Sequence, residues 1–176
     1  DDYKVLLSDP AVRSLGGWWS DLGRGIRPLL KLSYALNWST GPGLFGFHLV
    51  NLVIHLGVSI LVLLLARKLT GPSSRMGGVA LLAALLFALH PIQTEAVTYL
   101  AGRSASLVAL FYLASLAAYI HGRLEGRPLV LYALSPALFL LALAVKETAA
   151  TLPAALLLWE ISRRDRPFRL REALAC

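Results

Sequence analysis

The sequence is short of cysteine, of charge and of every common catalytic motif of soluble enzymes. Its single cysteine, Cys176, cannot form an intrachain disulfide, so cysteine usage says nothing about redox compartment. Only 15% of the residues are charged, against ~25% in an ordinary soluble domain, so water is the wrong solvent for most of the chain. There is no Gly-rich phosphate loop, no Cys/His set at metal-ligand spacing and no Ser/His/Asp arrangement, which removes the usual soluble hydrolase, kinase and metalloenzyme mechanisms. An initiator Met and a signal-like basic start are missing too, because the sequence opens on Asp1-Asp2. It therefore reads as a piece of a longer polypeptide.

What is present is apolar and gathered into runs. Hydrophobic residues make up 57% of the chain, with a mean hydropathy of +0.65. They lie in long stretches rather than in amphipathic stripes, the pattern of transmembrane helices. The expected fold is all-α, a polytopic transmembrane helix bundle of about five spans behind a long outer first loop. Residues 1–43 form that loop, and Trp18, Trp19 and Trp38 suit headgroup depth. The spans are expected near 44–66, 76–92, 96–120, 128–145 and 148–161, with a basic tail over 163–176. The run from Pro128 to Ile161 would reach ~51 Å as one helix, too long for one crossing, and divides at Lys146-Glu147 and Pro153.

Charge supports that division. The net charge of +7 would suggest nucleic acid in a soluble chain, yet Arg163, Arg164, Arg166, Arg169 and Arg171 all fall in the tail. Five spans put this tail on the same side as Arg67, Lys68, Arg75, Arg123 and Arg127, as the positive-inside bias requires. Basic residues are then a membrane flank, and nucleic acid is excluded as a partner.

The same sorting collects Asp1, Asp2, Arg27, His48, Asn51, His90, Glu95, Arg103, Lys146 and Glu147 on the outer side. Ionisable groups at membrane depth are expensive unless paired or solvated, so this set suggests a polar cavity opening outward. His48, Asn51 and His55 recur at i, i+3 and i+7 and share one helix face. A polar seam between helices accounts for them as well as a substrate path does, and metal binding fits less well. Lys146-Glu147 is equally readable as a helix-end pair, and His90-Pro91 as a helix stop. The paired acids are the strongest chemical lead. A carboxylate at the membrane surface can take a proton from an acceptor hydroxyl while a nearby Arg or Lys steadies a phosphate leaving group.

Several short motifs occur in a particular order: Asp1-Asp2, Arg27-Pro28-Leu29, Leu36-Asn37, Gly46-Phe47-His48-Leu49-Val50-Asn51-Leu52 with His55, and Leu86-Phe87-Ala88-Leu89-His90-Pro91. Thr94-Glu95-Ala96-Val97, Ala101-Gly102-Arg103, Lys146-Glu147-Thr148 and Leu152-Pro153 follow. In this order the chain resembles the membrane part of the C-type glycosyltransferases, in particular the transmembrane and tetratricopeptide-repeat O-mannosyltransferase branch and its bacterial relatives. The resemblance implies transfer of a sugar, mannose above all, from a polyprenyl-phosphate carrier to a hydroxyl of a protein or glycan acceptor on the outer or lumenal face. It implies Asp1 or Asp2 as catalytic base and Arg27, Arg103 and Lys146 as contacts to the lipid phosphate, with His90 and Glu95 as weaker candidates. No covalent cofactor is implied, and a divalent metal is left open.

The helix expected before the acidic pair and the tetratricopeptide repeats expected after the membrane part are both absent from this sequence. The expected place is an integral, multi-pass position in a membrane, a bacterial inner membrane in preference to the endoplasmic reticulum. A transporter segment or a noncatalytic scaffold are the competing readings. Inverted repeats would favour transport, and none is visible in the sequence.

Overall fold

The structure, a computed structural model, describes residues 9–23, 26–41, 43–70 and 74–163. Asp1, Asp2 and the tail beyond Arg163 lie outside the described residues. Everything described is helix or short connection, with no strand among the described residues.

Three short helices come first. α1 (Pro10–Arg13) starts where Asp9 accepts a hydrogen bond from the Ala11 N–H at 2.9 Å, with Pro10 in the first helical position. α2 (Leu15–Asp21) is capped by Ser14 in the same manner. α3 (Pro28–Thr40) again begins on a proline, while Arg27 before it sits in the left-handed region at φ 58°, ψ 54°. The indole of Trp18 donates to the Pro28 carbonyl at 2.8 Å, and Lys31 on α3 reaches Asp21 at 2.6 Å and Asp9 at 3.3 Å, so the three helices form one unit. Trp19 and Ile26 remain exposed on it.

The bundle follows. α4 (Leu44–Thr70) has 27 residues and a length of about 40 Å. α5 (Ser74–Leu89) returns along it and stops before Pro91, whose ring disfavours helical geometry at His90, found extended at φ −65°, ψ 131°. A 3-10 turn (Pro91–Gln93) and α6 (Thr94–Thr98) continue at an angle of 50° to α5. α7 (Arg103–Glu125) then runs parallel to α4: Arg103 bonds Asn51 near the start of α4, and Lys68 near its end meets Glu125 at 3.2 Å.

α8 (Ser135–Val145) returns against α7, with Ser115 and Ser135 exchanging hydrogen bonds at 2.7 and 3.0 Å. It is preceded by a π-helical turn (Val130–Leu134) in which the Ser135 N–H bonds Val130 O, five residues back. Pro136 explains the widening, since it offers no N–H to Tyr132 and its ring would strike that carbonyl in a regular α-helix. After a 3-10 turn (Glu147–Thr151), α9 (Leu152–Ser162) lies parallel to α7, where Leu152 and Leu156 pack on Tyr119 and Leu131. A second apolar cluster, Ile54, Leu107 and Val145, joins α4, α7 and α8.

The all-α membrane bundle stands, but not the number of spans. Two helices, Leu44–Thr70 and Arg103–Glu125, are long and apolar enough to cross a membrane, with a third if Gly77–Leu89 and Pro91–Thr98 count as one bent span. The expected last span, 148–161, is a 3-10 turn (Glu147–Thr151) running into the 11-residue α9, which by itself reaches about 16 Å against a ~30 Å hydrocarbon core. The expected span over 96–120 begins seven residues late, at Arg103. Tyr99 is extended at φ −91°, ψ 134°, and Gly102 sits directly on the Glu95 carbonyl, where a Cβ has no room. Hydropathy does not register a turn made of apolar residues.

Candidate functional site

Arg103 is the most connected side chain at the end of the bundle that carries the sequence candidates. It is fully buried, and its planar fork serves four acceptors. Nε donates to Asn51 Oδ1 at 2.7 Å, Nη1 to the Ser33 carbonyl at 3.1 Å, and Nη2 to Asn37 Oδ1 at 2.8 Å and the Phe47 carbonyl at 3.1 Å. The ring of Tyr34 lies 4.6 Å from Cζ and that of Phe47 5.3 Å. No carboxylate is paired with it among the described residues, so neutral dipoles and two aromatic faces stabilise the cation. Arg103 therefore locks α3, α4 and α7 together and does not present its guanidinium to a ligand, which departs from the phosphate contact expected of it.

The polar face of α4 has a similar task. Asn51, also buried, donates Nδ2 to the carbonyls of Val97 at 3.4 Å and Tyr99 at 3.1 Å. His48 Nδ1 lies 3.3 Å from Val97 O and His55 Nε2 3.1 Å from Ala88 O. A carbonyl only accepts, so each of these ring nitrogens carries the proton. Val97 and Ala88 belong to the last turns of α6 and α5, whose carbonyls have no partner within their own helix. Lipid offers no donor, and side chains of α4 must supply one. The seam at 48, 51 and 55 thus holds a broken helix in place.

A different group lies at the protein surface. Arg27 grips Glu147 with both arms, Nε to Oε1 at 3.2 Å and Nη2 to Oε2 at 3.0 Å. The Arg27 hydrogen bond holds the Glu147 carboxyl below its ordinary pKa, with help from its own backbone N–H and from the Arg27 and Lys146 charges. Lys146, half-buried at the end of α8, makes no side-chain hydrogen bond or ion pair among the described residues. Lys31 is held above the usual lysine pKa, first by its hydrogen bond to Asp21 and then by Asp9, against the opposing effect of burial.

Of the remaining candidates, His90 accepts the Ile92 N–H at 3.2 Å and serves as a cap, and Glu95 is exposed in the first turn of α6 with no side-chain partner among the described residues. Asp1 and Asp2 lie outside the described residues. The structure thus brings Arg27 and Glu147 into contact beside Lys146, and Asn51 against Arg103. Among the described residues, no hydrogen bond or ion pair between candidates joins these two groups. Sequence reasoning missed Ser33 and Tyr34 and held Asn37 only as part of a motif without a role, although their spacing on one face of α3 was a signal. Among the described residues no three His, Cys, Asp or Glu side chains converge on a point.

No protein-family model and no solved structure matches the chain. Curated relatives do. The chain is 43% identical over 128 residues to the protein O-mannosyl-transferase Tmtc1 of Drosophila melanogaster, covering 71% of this chain and 14% of the relative. It is 38% identical over 144 residues to Tmtc2 of the same fly, covering 78% of this chain and 15% of that protein. To TMTC4 of Homo sapiens it is 38% identical over 107 residues, 54% of this chain and 14% of the relative. These relatives are animal proteins, so the expectation of a bacterial inner membrane gains nothing from them. By sequence, this integral membrane chain belongs to the TMTC branch of the protein O-mannosyl-transferases.

Proposed function

We propose that the protein transfers mannose from a polyprenyl-phosphate carrier to a hydroxyl of a protein acceptor, on the outer or lumenal side of its membrane. The observation that carries the reading is the agreement of its relatives, all named protein O-mannosyl-transferases; Arg27, in contact with Glu147, and the neighbouring Lys146 are two cations that this chemistry could use.

The acceptor oxygen attacks the anomeric carbon of mannose, the bond from that carbon to the phosphate oxygen breaks, and the acceptor proton passes to a carboxylate, Asp1 or Asp2. The donor is a phosphodiester with one negative charge, and the departing polyprenyl phosphate carries one more. That added charge develops in the transition state, so fixed cations lower the barrier. Arg27 and Lys146 are assigned this role. Arg103 is not, because its donors are already engaged.

The test is transfer of labelled mannose from polyprenyl-phosphate mannose in membranes carrying the polypeptide, with Asp1→Asn, Asp2→Asn, Arg27→Gln and Lys146→Gln compared at equal protein level. Loss of transfer in one acidic variant and reduction in both cation variants is the expected result. Transfer by neither wild type nor variants, from any lipid-linked sugar, moves the transporter and scaffold readings ahead.

A further inference from the structure

The contact between Arg27 and Glu147 is peculiar for a surface ion pair. Its side chains are 36% and 66% exposed, a setting in which such pairs add little to stability. Yet the geometry is bidentate, and Arg27 is the only non-glycine residue with positive φ among the described residues. Strained backbone of that kind persists where the surroundings enforce it and clusters at binding sites. Arg27 also stands at the N-cap of α3 with no side-chain cap. The adjoining Lys146 is extended at φ −159°, ψ 143°, half-buried, and without a side-chain partner among the described residues.

A carboxylate and a phosphate offer a guanidinium the same thing: two oxygens in the plane of its fork. We infer that the Glu147 carboxylate is a built-in competitor that occupies the anion position of Arg27, beside Lys146, until a phosphate group displaces it. This rests on the reading that Arg27 and Lys146 meet the carrier phosphate, and adds how that position is kept closed. Exchange is favoured because a phosphate bridges both cations at once: the donor's phosphodiester brings one negative charge, as Glu147 does, and the departing polyprenyl phosphate, like inorganic phosphate, brings up to two. The released Glu147 is already largely in water, so it needs no new partner. Its departure also unties residues 26–28 from the 3-10 turn Glu147–Thr151, so arrival of the phosphate loosens the contact between α3 and the α8–α9 connection.

The experiment is binding of polyprenyl monophosphate to the protein in nanodiscs, with inorganic phosphate as a second arm, for wild type, Glu147→Gln and Arg27→Gln. Glu147→Gln is expected to tighten binding about 2–5-fold, the scale of one exposed ion pair, and Arg27→Gln to weaken it. In wild type, the 13C signal of the Glu147 carboxyl should titrate at higher pH when phosphate is bound, because its Arg27 partner is gone. Preference for the lipid arm assigns the site to a carrier headgroup and equal binding assigns it to a free anion, both with the competitor intact. Unchanged or weaker binding by Glu147→Gln, or an unmoved Glu147 titration, overturns the inference. Mannose transfer is measured separately: activity with no Glu147 effect removes the competitor and keeps the enzyme, and the expected binding pattern without transfer does the reverse.

Discussion

Replacing Arg103 by alanine is the most informative single change to the bundle. It strips the donor from Asn51 Oδ1 and Asn37 Oδ1, both on buried residues, and from the carbonyls of Ser33 and Phe47. A buried acceptor left unpaired costs ~1–3 kcal/mol. The two carbonyls lie within helices and keep a helical partner, so most of the loss falls on the two asparagines. Losing the stacked aromatic contacts adds ~0.5–2 kcal/mol, and no longer burying a charge offsets part of it. The balance is about 3–5 kcal/mol, the scale seen when one partner is removed from a buried charged network, or roughly a thousandfold in the folding equilibrium. A surface cation waiting for a ligand would change stability by less than ~0.5 kcal/mol. Equilibrium unfolding by SDS titration in mixed micelles, followed by tryptophan emission, separates the two. Arg103→Lys keeps the charge but not the planar fork, and should recover less than half of the loss. Unfolding of Arg103→Ala within ~1 kcal/mol of wild type would refute the lock.

Gly122→Leu should destabilise the α7–α8 crossing by ~1–3 kcal/mol, because a Cβ there meets Leu131 N at 2.8 Å and Leu131 Cβ at 2.9 Å; the same SDS titration reads it. Ser115→Ala should cost ~0.5–2 kcal/mol, the range for hydrogen bonds between membrane helices, and combined with Ser135→Ala it should be less than additive, since the two hydroxyls serve each other. The depressed Glu147 pKa means that the folded state binds its proton less readily than the unfolded chain does. The Arg27 contact is therefore complete above the ordinary carboxylate pKa and lost as pH falls through the lowered one. Carboxyl NMR should place the Glu147 midpoint below that of an unpaired glutamate and return it upward in Arg27→Gln; equal midpoints would contradict the pairing.

The long apolar runs made the helices legible, and Pro91 marked one break correctly, because both signals are local. The turn at 99–102 was not legible: its residues are apolar, and what forces it is contact of Gly102 with the Glu95 carbonyl and of Tyr34 Oη with Leu100 O at 2.6 Å. Arg103 could be identified as costly in a membrane but not as a lock, since its acceptors lie 52, 56, 66 and 70 residues away along the chain. The pairing of Arg27 with Glu147 spans 120 residues and was equally hidden. That the two lie on the same side of the bundle was readable from apolar length and basic flanks, and their contact agrees with it.

The π turn at Val130–Leu134 sets an angle. One residue is about 100° of rotation about a helix axis, so the extra residue accommodated before Ser135 fixes the azimuth of everything that follows. In an uninterrupted α-helix Ser135 would be turned by about 100° from its place against Ser115, and Val145 by the same angle from Ile54 and Leu107. Glu147, two residues further on, would leave the helix in a different direction from Arg27. Pro136, placed by a sequence rule that concerns only its own ring, thus aims a carboxylate eleven residues downstream.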